Sequence, residues 1–548
     1  MLLRSVRVEN FRAVKYANVS LDATTVLIGE NDCGRSSLME AVAIALGWDS
    51  KPGEFRFQPL HAHRPDSQSA PNRIAIALEF CETTPGEWNG EGFETLRSAL
   101  PDVLTRDRRF WLEVNYAGDA VTYWMFRSAA EKPLIDDHGM LAWLRRRMPV
   151  FWMSEGMMAR RRVGEGPGVP ADRVPEDLAS QVSDHYRDLL AGTAPDVSAA
   201  IEGGSAAARQ LLLAGAKLLP NQTTPVAELL EEITGKKNSR PGDLTKSQGA
   251  AASKLGLLLL VGALLQSGVG QVEQGMDSLS LIENPEAHLH PMTLASIWSV
   301  IDRIGGQKII ATHSGTLLAR VRLSSLRRLT RQSGIVKEWR VPDGSLTADE
   351  LRRYSYHLRS RRAAASFARC WLLVEGETEF WLMDELARVC GYDFATEGVA
   401  CVEFAQCGLS AVIKVAEHLG IEWHLLADGD AAGQQYARSA RGFTGDGDVQ
   451  IRLTVLEEPD VEHSFWRHGY KQVFLKAAYP ASASDMDAVQ RKTPAKAVIK
   501  RAIERHSKPY MAVLLVDAVM DRGPEGIPPR LRTAIESCIR LARHGWAK

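Results

Sequence analysis

The chain is 548 residues long, which exceeds the capacity of one hydrophobic core and predicts three or four domains. Its content of 45% hydrophobic and 24% charged residues is that of an ordinary globular protein. The formal net charge of -1 lacks the basic excess of a dedicated nucleic-acid coat protein, so any nucleic-acid contact must come from local patches.

Three features of the sequence predict a cytoplasmic protein without a membrane partner. The longest apolar stretch, residues 255–265, is too short to span a bilayer. The N-terminal segment resembles a strand with Arg4 and Arg7 and not a signal peptide. The seven cysteines are scattered without CxxC pairs, which suits a reducing compartment and weighs against a zinc ribbon.

The first elements surround a glycine-bounded loop. Residues 1–8 predict an opening strand, residues 18–28 lead into the loop, and residues 38–46 predict a helix. The loop has the pattern GxxxxGK[ST] of a phosphate-binding loop with arginine in place of lysine, so its backbone N–H groups can cradle phosphate and Ser36 can bind Mg²⁺. The candidate nucleotide-binding residues of the loop are Gly29, Asn31, Gly34, Arg35, Ser36 and Ser37.

The middle of the chain predicts a helical insertion. Residues 163–174 are rich in glycine and proline, and Pro175 opens a helical region that continues to residue 219. Residues 220–241 then return the chain to the core. Such an insertion commonly serves dimerisation, and a lid or a partner surface are the alternatives.

A second apolar strand, residues 279–282, ends in Glu283, and a third, residues 308–311, precedes His313. The HxH pair between them, His288 and His290, has no third ligand of suitable type nearby, so we do not expect zinc there.

Two further apolar strands end abruptly in carboxylates and glycine. Residues 371–374 precede one pair of carboxylates, and residues 425–427 precede the other. Neighbouring parallel strand ends would bring them into one crevice, where like charges are costly unless a cation neutralises them. Oxygen ligands without imidazole or thiolate indicate Mg²⁺ or Mn²⁺, whereas the alternative is a helix cap and a surface turn. The four carboxylates are Glu375, Glu379, Asp428 and Asp430.

These segments, VEGETE and ADGDAAG, resemble the Toprim domain of topoisomerases, bacterial-type primases and the nucleases of the OLD (overcoming lysogenization defect) family. OLD-type nucleases are similar in having the second glutamate and a further acidic pair, which Asp460 and Glu462 match. The resemblance implies two metal ions that clamp the attacking and leaving oxygens, and a lysine near the scissile phosphate. That lysine is expected to be Lys508, with Lys496 and Lys500 as alternatives. The implied metal ligands are Glu375, Glu379, Asp428, Asp430, Asp460 and Glu462, and the catalytic residues are Glu375 and Lys508.

The loop at residues 29–37 and the segment ENPEAHLHP at residues 283–291 resemble the ABC-type ATPase of OLD proteins and their DNA-repair relatives. The resemblance gives Glu283 the magnesium-coordinating place and His313 the place of the γ-phosphate sensor. Ser247 would belong to a degenerate signature loop that completes the nucleotide site of a second subunit.

Two departures from that family concern hydrolysis. Arg35 replaces the lysine of the loop, and a planar guanidinium is not equivalent to a compact ammonium. Asn284 stands where the family often has the glutamate that polarises water, and an amide cannot accept that proton. We therefore expect ATP to be bound with Mg²⁺ and hydrolysed slowly or not at all, with Glu286 as the alternative base.

The predicted fold class is α/β, with an ABC-type ATPase domain that carries the helical insertion and a C-terminal Rossmann-like Toprim domain. The expected boundaries are 1–150 and 246–340 for the two parts of the ATPase, 151–245 for the insertion, 341–365 for the linker, 366–510 for the Toprim domain and 511–548 for a C-terminal helical segment.

The implied function is cleavage or nicking of DNA with Mg²⁺ or Mn²⁺, regulated by ATP, in phage defence or DNA repair. A homodimer and a helicase-like or other defence partner are expected. The alternative is a nucleotide-gated scaffold or sensor that works through a partner or on RNA. A topoisomerase would need a tyrosine nucleophile, and no context singles out Tyr436, Tyr470 or Tyr510.

Clusters of arginine are expected, as a set, to contact nucleic-acid phosphates. They are Arg106, Arg108 and Arg109; Arg145, Arg146 and Arg147; Arg160, Arg161 and Arg162; Arg320, Arg322, Arg327, Arg328 and Arg331; and Arg359, Arg361 and Arg362.

Overall fold

The computed structural model describes residues 1–46, 57, 61–63, 73–104, 108–116, 122–128, 133–135, 139–148, 150–153, 277–287, 294, 298, 301–302, 306–356, 363–445, 449–479 and 493–544. The predicted insertion therefore lies outside the described residues except at its first positions, and its role in dimerisation stays a prediction. Also outside are Ser247, His288, His290, Arg106, Arg160, Arg161, Arg162, Arg359, Arg361 and Arg362.

The chain divides into two compact units, Met1–Glu338 and Trp339–Lys548. The domain boundaries expected from the sequence are finer than this division and stay a prediction. In the part of the chain that the structure describes, no helix is long and apolar enough to cross a membrane.

The first unit is built on a sheet with the strand order β7-β6-β5-β4-β1-β2-β12-β11-β3-β10-β9-β8. Its strands are β1 (Leu2–Phe11), β2 (Val14–Ser20), β3 (Thr24–Gly29), β4 (Ile74–Cys81), β5 (Arg109–Tyr116), β6 (Thr122–Ser128), β7 (Pro133–Ile135), β8 (Val150–Met153), β9 (Leu279–Glu283), β10 (Gln307–Ala311), β11 (Leu326–Gln332) and β12 (Ile335–Trp339). Its helices are α1 (Arg35–Ala45), α2 (Glu94–Ala99), α3 (Gly139–Arg147) and α4 (Gly315–Leu318).

The two halves of this sheet differ in strand direction. The run from β7 to β2 is antiparallel, whereas β11, β3, β10, β9 and β8 are parallel neighbours. Val26, Leu27 and Ile28 of β3 are all buried, as expected for a strand with neighbours on both sides and covered faces. The strands predicted at residues 279–282 and 308–311 correspond to β9 and β10, which pair with each other. Since β10 also pairs with β3 in parallel, β9 and β10 end at the same edge as the loop that follows β3.

The arginine clusters need a correction, because several of their members are buried. Arg327 and Arg328 are each 1% exposed. Arg327 is paired with Asp22 and lies 3.1 Å from Glu338. Arg147 is 6% exposed, and its guanidinium lies 4.2 Å above the centre of the Phe93 ring. The expectation that these three arginines contact nucleic acid is wrong, since their side chains are buried in the first unit.

The second unit is a Rossmann-like parallel sheet with the strand order β14-β13-β15-β16. Its strands are β13 (Cys370–Val374), β14 (Val399–Glu403), β15 (Glu422–Ala427) and β16 (Leu453–Val455). Its helices are α5 (Ala348–Tyr354), α6 (Glu377–Val389), α7 (Phe394–Glu397), α8 (Leu409–His418), α9 (Ala431–Arg441), α10 (Val449–Arg452), α11 (Val461–Phe465), α12 (Lys471–Ala478), α13 (Ala495–His506), α14 (Lys508–Met520) and α15 (Pro529–His544). The mixed α/β fold class and the parallel sheet predicted for this region are confirmed.

Strands β13 and β15 are adjacent and parallel, with Leu373 opposite Leu425. All five residues of β13 are buried, and α15 packs against both strands. Because parallel neighbours end at the same edge of a sheet, the segments that follow β13, β15 and β16 lie side by side.

One buried histidine in this sheet predicts a pH dependence. His424 in β15 is fully buried, with its ring nitrogens 2.6 Å from the carbonyl oxygen of Ile451 and 3.0 Å from the hydroxyl of Thr454. Burial lowers the pKa of His424 to about 4. The unfolded imidazole keeps a pKa of about 6.5, so the folded state binds fewer protons and loses stability as the pH falls from about 6.5 towards 4.

We expect the wild-type second unit to lose about 2 kcal/mol of unfolding free energy between pH 6.5 and 5 through this group. In His424→Gln that part of the slope should vanish, whatever the substitution costs at neutral pH. Denaturant unfolding across this pH range measures it, and the exposed His544 supplies the control variant His544→Gln. An unchanged slope in His424→Gln would contradict the assignment.

Candidate metal and nucleotide sites

The first carboxylates of the second unit follow β13. Glu375 comes directly after the strand, and Gly376 in extended conformation precedes the first turn of α6. Glu379 lies in that turn and is 7% exposed. The hydroxyl of Thr378 donates a hydrogen bond of 3.1 Å to Glu462 and so joins this segment to the one beyond β16.

The second pair of carboxylates, Asp428 and Asp430, follows β15 in a segment where two glycines make close backbone contacts. The N–H of Gly429 donates to the carbonyl oxygen of Glu458 at 3.0 Å, and a Cβ at Gly429 would overlap that oxygen. A Cβ at Gly433 would overlap the carbonyl oxygen of Asp428. The ADGDAAG segment therefore needs both glycines because the backbones approach too closely for a side chain.

Asp430 and Asp460 also have a structural role. Asp430 is the N-cap of α9 and accepts from the N–H of Gly433 at 2.8 Å. Asp460 is the N-cap of α11, accepts from the N–H of His463 at 2.8 Å, and lies 2.6 Å from the His463 ring. Helix capping is thus present at these two residues, where one carboxylate oxygen of each makes the cap contact.

The predicted carboxylates influence one another's ionisation. Burial raises the pKa of Asp428 to about 8, reinforced by the charges of Glu379, Glu375, Asp460 and Glu462. Burial, together with the charge of Glu462, likewise raises the pKa of Glu379 to about 7. Glu379 and Glu462 are buried, whereas Asp430 is exposed. Each charge makes ionisation of its neighbours more costly, and the role of the six residues as metal ligands stays a prediction.

Glu375 and Lys508 complete this cluster. Burial and the charge of Asp430 raise the pKa of Glu375, and the charge of Lys508 opposes them. Lys508 has the same opposing effect on Glu379. Lys508 is the lysine whose charge acts on Glu375 and Glu379, and its catalytic role stays a prediction.

Sequence reasoning missed two polar groups at this site. Thr378 lies inside the VEGETE segment, where its hydroxyl ties two acidic segments together. Tyr436 on α9 lies close enough for Glu375 and Asp430 to raise its pKa after burial, and its ring packs edge-on against Phe404. No helical spacing singles out Tyr436, since a residue six positions after Asp430 lies on a different face of the helix.

The cluster has a donor set that suits divalent metal. Among the described residues, no hydrogen bond satisfies the buried Oε2 atom of Glu375. As the side chains stand, no group of three His, Cys, Asp or Glu residues in the described chain is arranged tightly enough to hold an ion. The hard oxygens and the unsatisfied carboxylate are of the kind that a divalent cation prefers.

The candidate nucleotide site lies in the first unit, around the loop between β3 and α1. Gly34 has a φ of 99° at the N-cap of α1, and a Cβ at Gly29 would overlap the carbonyl oxygen of Leu329. Asn31 and Ser36 are exposed, whereas Ser37 is buried beneath the helix start. The hydroxyl of Ser36 donates to Glu283 at the end of β9, which brings together the two residues expected to hold Mg²⁺.

Arg35 does not extend freely into the loop. Its guanidinium is 7% exposed and donates to the carbonyl oxygen of Thr312 at 2.8 Å. The same guanidinium lies 3.1 Å from Nδ1 of His313, and burial together with this charge lowers the pKa of His313. The two residues expected to contact phosphate are therefore in contact with each other.

The segment after β9 contains Asn284 and the alternative base Glu286. Asn284 has a φ of 47°, a conformation that asparagine adopts more readily than most residues. Glu286 accepts from the hydroxyl of Thr312 at 2.9 Å and from the N–H of His313 at 2.6 Å. Glu286 is thus occupied in holding the segment after β10, which disfavours it as the alternative base.

Fold and sites together define a protein of the ABC-type ATPase and Toprim fusion class. A family model described as "Protein of unknown function (DUF2813)" matches residues 1–365, and one described as "Overcoming lysogenization defect protein-like, TOPRIM domain" matches residues 367–430. The chain belongs to the DUF2813 family, and the predicted OLD-type fusion is confirmed. Such ATPase and Toprim folds generally use a nucleotide and a divalent metal.

One curated relative matches along nearly the whole chain, and solved structures match parts of it. The uncharacterized protein YbjD of Escherichia coli strain K12 is 32% identical over 566 residues, covering 99% of each chain. The SMC head domain of Thermotoga maritima is 11% identical with a TM-score of 0.34, covering 62% of this chain and 100% of that one. The C-terminal region of the Burkholderia pseudomallei OLD protein is 19% identical with a TM-score of 0.28, covering 32% of this chain and 98% of that one.

The mutual repulsion of the carboxylates predicts a gain in stability when one charge is removed. At pH 8.5 with EDTA, Asp428→Asn should melt at a higher temperature than wild type, because it relieves burial and repulsion at the most perturbed carboxylate. The effect should be a few degrees, the size expected for about 1–2 kcal/mol. Differential scanning calorimetry measures it.

The control is Asp393→Asn, which changes an exposed N-cap that asparagine can also provide. Asp393→Asn should melt like wild type. A melting temperature of Asp428→Asn equal to or below that of wild type would mean that the neighbouring charges do not repel the Asp428 carboxylate.

Proposed function

We propose that the protein is a metal-dependent endonuclease or nickase that acts on DNA and is regulated by ATP bound in its first unit. The observation that carries the proposal is the convergence of carboxylates from the ends of β13, β15 and β16 beside Lys508. A cluster of like charges is destabilising by itself, and strongly perturbed pKa values such as those of Asp428 and Glu379 favour a functional role.

The carboxylates have distinct tasks in this proposal. Glu375, Glu379, Asp428, Asp430, Asp460 and Glu462 would hold two Mg²⁺ or Mn²⁺ ions, which when bound supply an activated water and stabilise the leaving oxygen. Glu375 orients the water from the end of β13. Lys508, at the start of α14, would offset the charge that develops on the phosphate. The N-terminal caps at Asp430 and Asp460 hold their carboxylates in place while one oxygen of each remains available.

The first unit carries the residues proposed to bind ATP. The loop glycines, Ser36 and Glu283 supply phosphate and Mg²⁺ contacts, whereas the base position holds Asn284. Glu286 is occupied by Thr312 and His313. ATP is therefore proposed as a regulatory ligand that is hydrolysed slowly, and the γ-phosphate would compete with His313 for the Arg35 guanidinium.

The assembly and the biological role are part of the same proposal. ABC-type sites are completed by a second subunit, which favours a homodimer. The OLD-like Toprim domain favours a role in phage defence or DNA repair, with a helicase-like or other defence partner.

The nuclease proposal is tested by nicking of supercoiled plasmid with Mg²⁺ or Mn²⁺. Wild-type protein should nick, and Glu375→Gln and Lys508→Ala should each reduce the rate by about 100-fold, since one removes a metal ligand and the other removes charge stabilisation. The matched control is Lys471→Ala, an exposed lysine on α12. Intact plasmid with wild-type protein and both metals would defeat the proposal and favour the nucleotide-gated scaffold.

The nucleotide proposal has a separate test. Mg²⁺-ATP should raise the melting temperature of wild-type protein and of the exposed-serine control Ser324→Ala, whereas Ser36→Ala should lose most of that stabilisation. Steady-state turnover should be on the order of 10⁻² s⁻¹ or slower, as for nucleotide switches that lack full catalytic machinery. Rapid turnover that disappears in Arg35→Ala would contradict slow hydrolysis.

A further inference from the structure

A basic surface lies on helix α13 of the second unit. The helix presents exposed cations along its length, and the single residue Ser507 separates it from α14. Lys500 is 73% exposed and lies 3.6 Å from Glu504, the acidic residue on this part of the helix. We name this surface the α13 track, and its cations are Lys496, Lys500, Arg501 and Arg505.

An aromatic platform stands at the end of the α13 track. Tyr510 is 47% exposed, although it is large and apolar. Its ring stacks on His506, with the centroids 5.1 Å apart and the planes at 22°. Nε2 of His506 lies 3.1 Å from the carbonyl oxygen of Ala477, which holds the pair against α12. One face of a fixed aromatic ring is therefore open to solvent.

The platform is near the candidate catalytic lysine in sequence. Lys508 is two residues before Tyr510 on α14, so the two side chains leave the helix on different sides. Helix α14 packs along α6, which carries Glu379. Between the track and the platform, Ser507 has φ 78° and ψ 156°, a region nearly reserved for glycine. This junction joins the last cation of the track, Arg505, to the start of α14.

We propose that the α13 track and Tyr510 bind an unpaired nucleic-acid strand, with one of its bases stacked on Tyr510. This inference rests on the proposed function and names its substrate class. Cations follow the backbone of a single strand and an exposed ring stacks its bases, which is how sequence-tolerant binding of single strands is achieved. A paired base inside a duplex cannot offer its face to the ring.

The stacking is tested by binding in EDTA, where no cleavage occurs. Fluorescence anisotropy with a labelled single-stranded oligonucleotide and with its blunt duplex should give tighter binding to the single strand. Tyr510→Ala should weaken single-strand binding by about tenfold and duplex binding little, while Tyr510→Phe should bind like wild type. The control is Tyr356→Ala, a tyrosine that is 63% exposed.

The track is tested by the dependence of binding on salt. Lys496→Ala combined with Arg505→Ala should reduce the slope of log K against log salt by about 0.7 for each phosphate that the two cations neutralise in wild-type protein. Arg540→Ala on α15 is the exposed control and should leave the slope unchanged. An unchanged slope in the double variant would overturn the role of the track.

The outcomes separate this inference from the proposed nuclease. Metal-dependent nicking together with wild-type binding by Tyr510→Ala would overturn the stacking and leave the nuclease intact. Selective weakening of single-strand binding in Tyr510→Ala without any nicking by wild-type protein would support the strand surface and defeat the nuclease. Equal weakening for single strand and duplex would overturn the preference for an unpaired strand.

Discussion

The second unit depends on one electrostatic constraint, the mutual repulsion of like-charged carboxylates that follow neighbouring parallel strands, two of which, Glu379 and Glu462, are buried. Parallel pairing of β13, β15 and β16 forces the following segments to the same edge. Gly429 then removes the side chain that would meet the carbonyl oxygen of Glu458, and Gly433 lets α9 begin directly against the backbone of Asp428. Burial and mutual repulsion raise the pKa values of Asp428 and Glu379 as a result. A fold selected for stability alone would place neutral side chains there, because unpaired buried charge is costly.

Much of this edge can be predicted from the sequence, because short apolar runs that end in acid and glycine have few other interpretations. The runs before Glu375 and Asp428 predict adjacent parallel strands, and the structure pairs Leu373 with Leu425. Glu379 is predicted four residues after Glu375, and a helix start between them turns it inward. These inferences succeed because they depend on local pattern and on a general rule of parallel sheets.

Other features depend on contacts between distant segments, which no local pattern contains. The burial of Arg327 is an example, since its partners Asp22 and Glu338 are remote in sequence or lie on another strand. A cluster of arginines in the sequence therefore does not distinguish exposed members from buried ones. The contact of Arg35 with His313 is of the same kind, because both residues were predicted to face phosphate and their mutual contact requires the pairing of β3 with β10.

The segment after β10 gives this last contact a consequence for the nucleotide site. Glu286 holds the N–H of His313 and the hydroxyl of Thr312, while Arg35 holds the carbonyl oxygen of Thr312 and the His313 ring. The Glu286 carboxylate and the Arg35 guanidinium thus both contact Thr312 and His313. A phosphate arriving at the loop would draw the guanidinium away from His313, because charge-assisted bonds to phosphate are stronger than a bond to a neutral ring. The imidazole, whose pKa the guanidinium depresses, would then be released to accept or donate at the phosphate, which couples occupancy of the loop to the state of His313 without requiring hydrolysis.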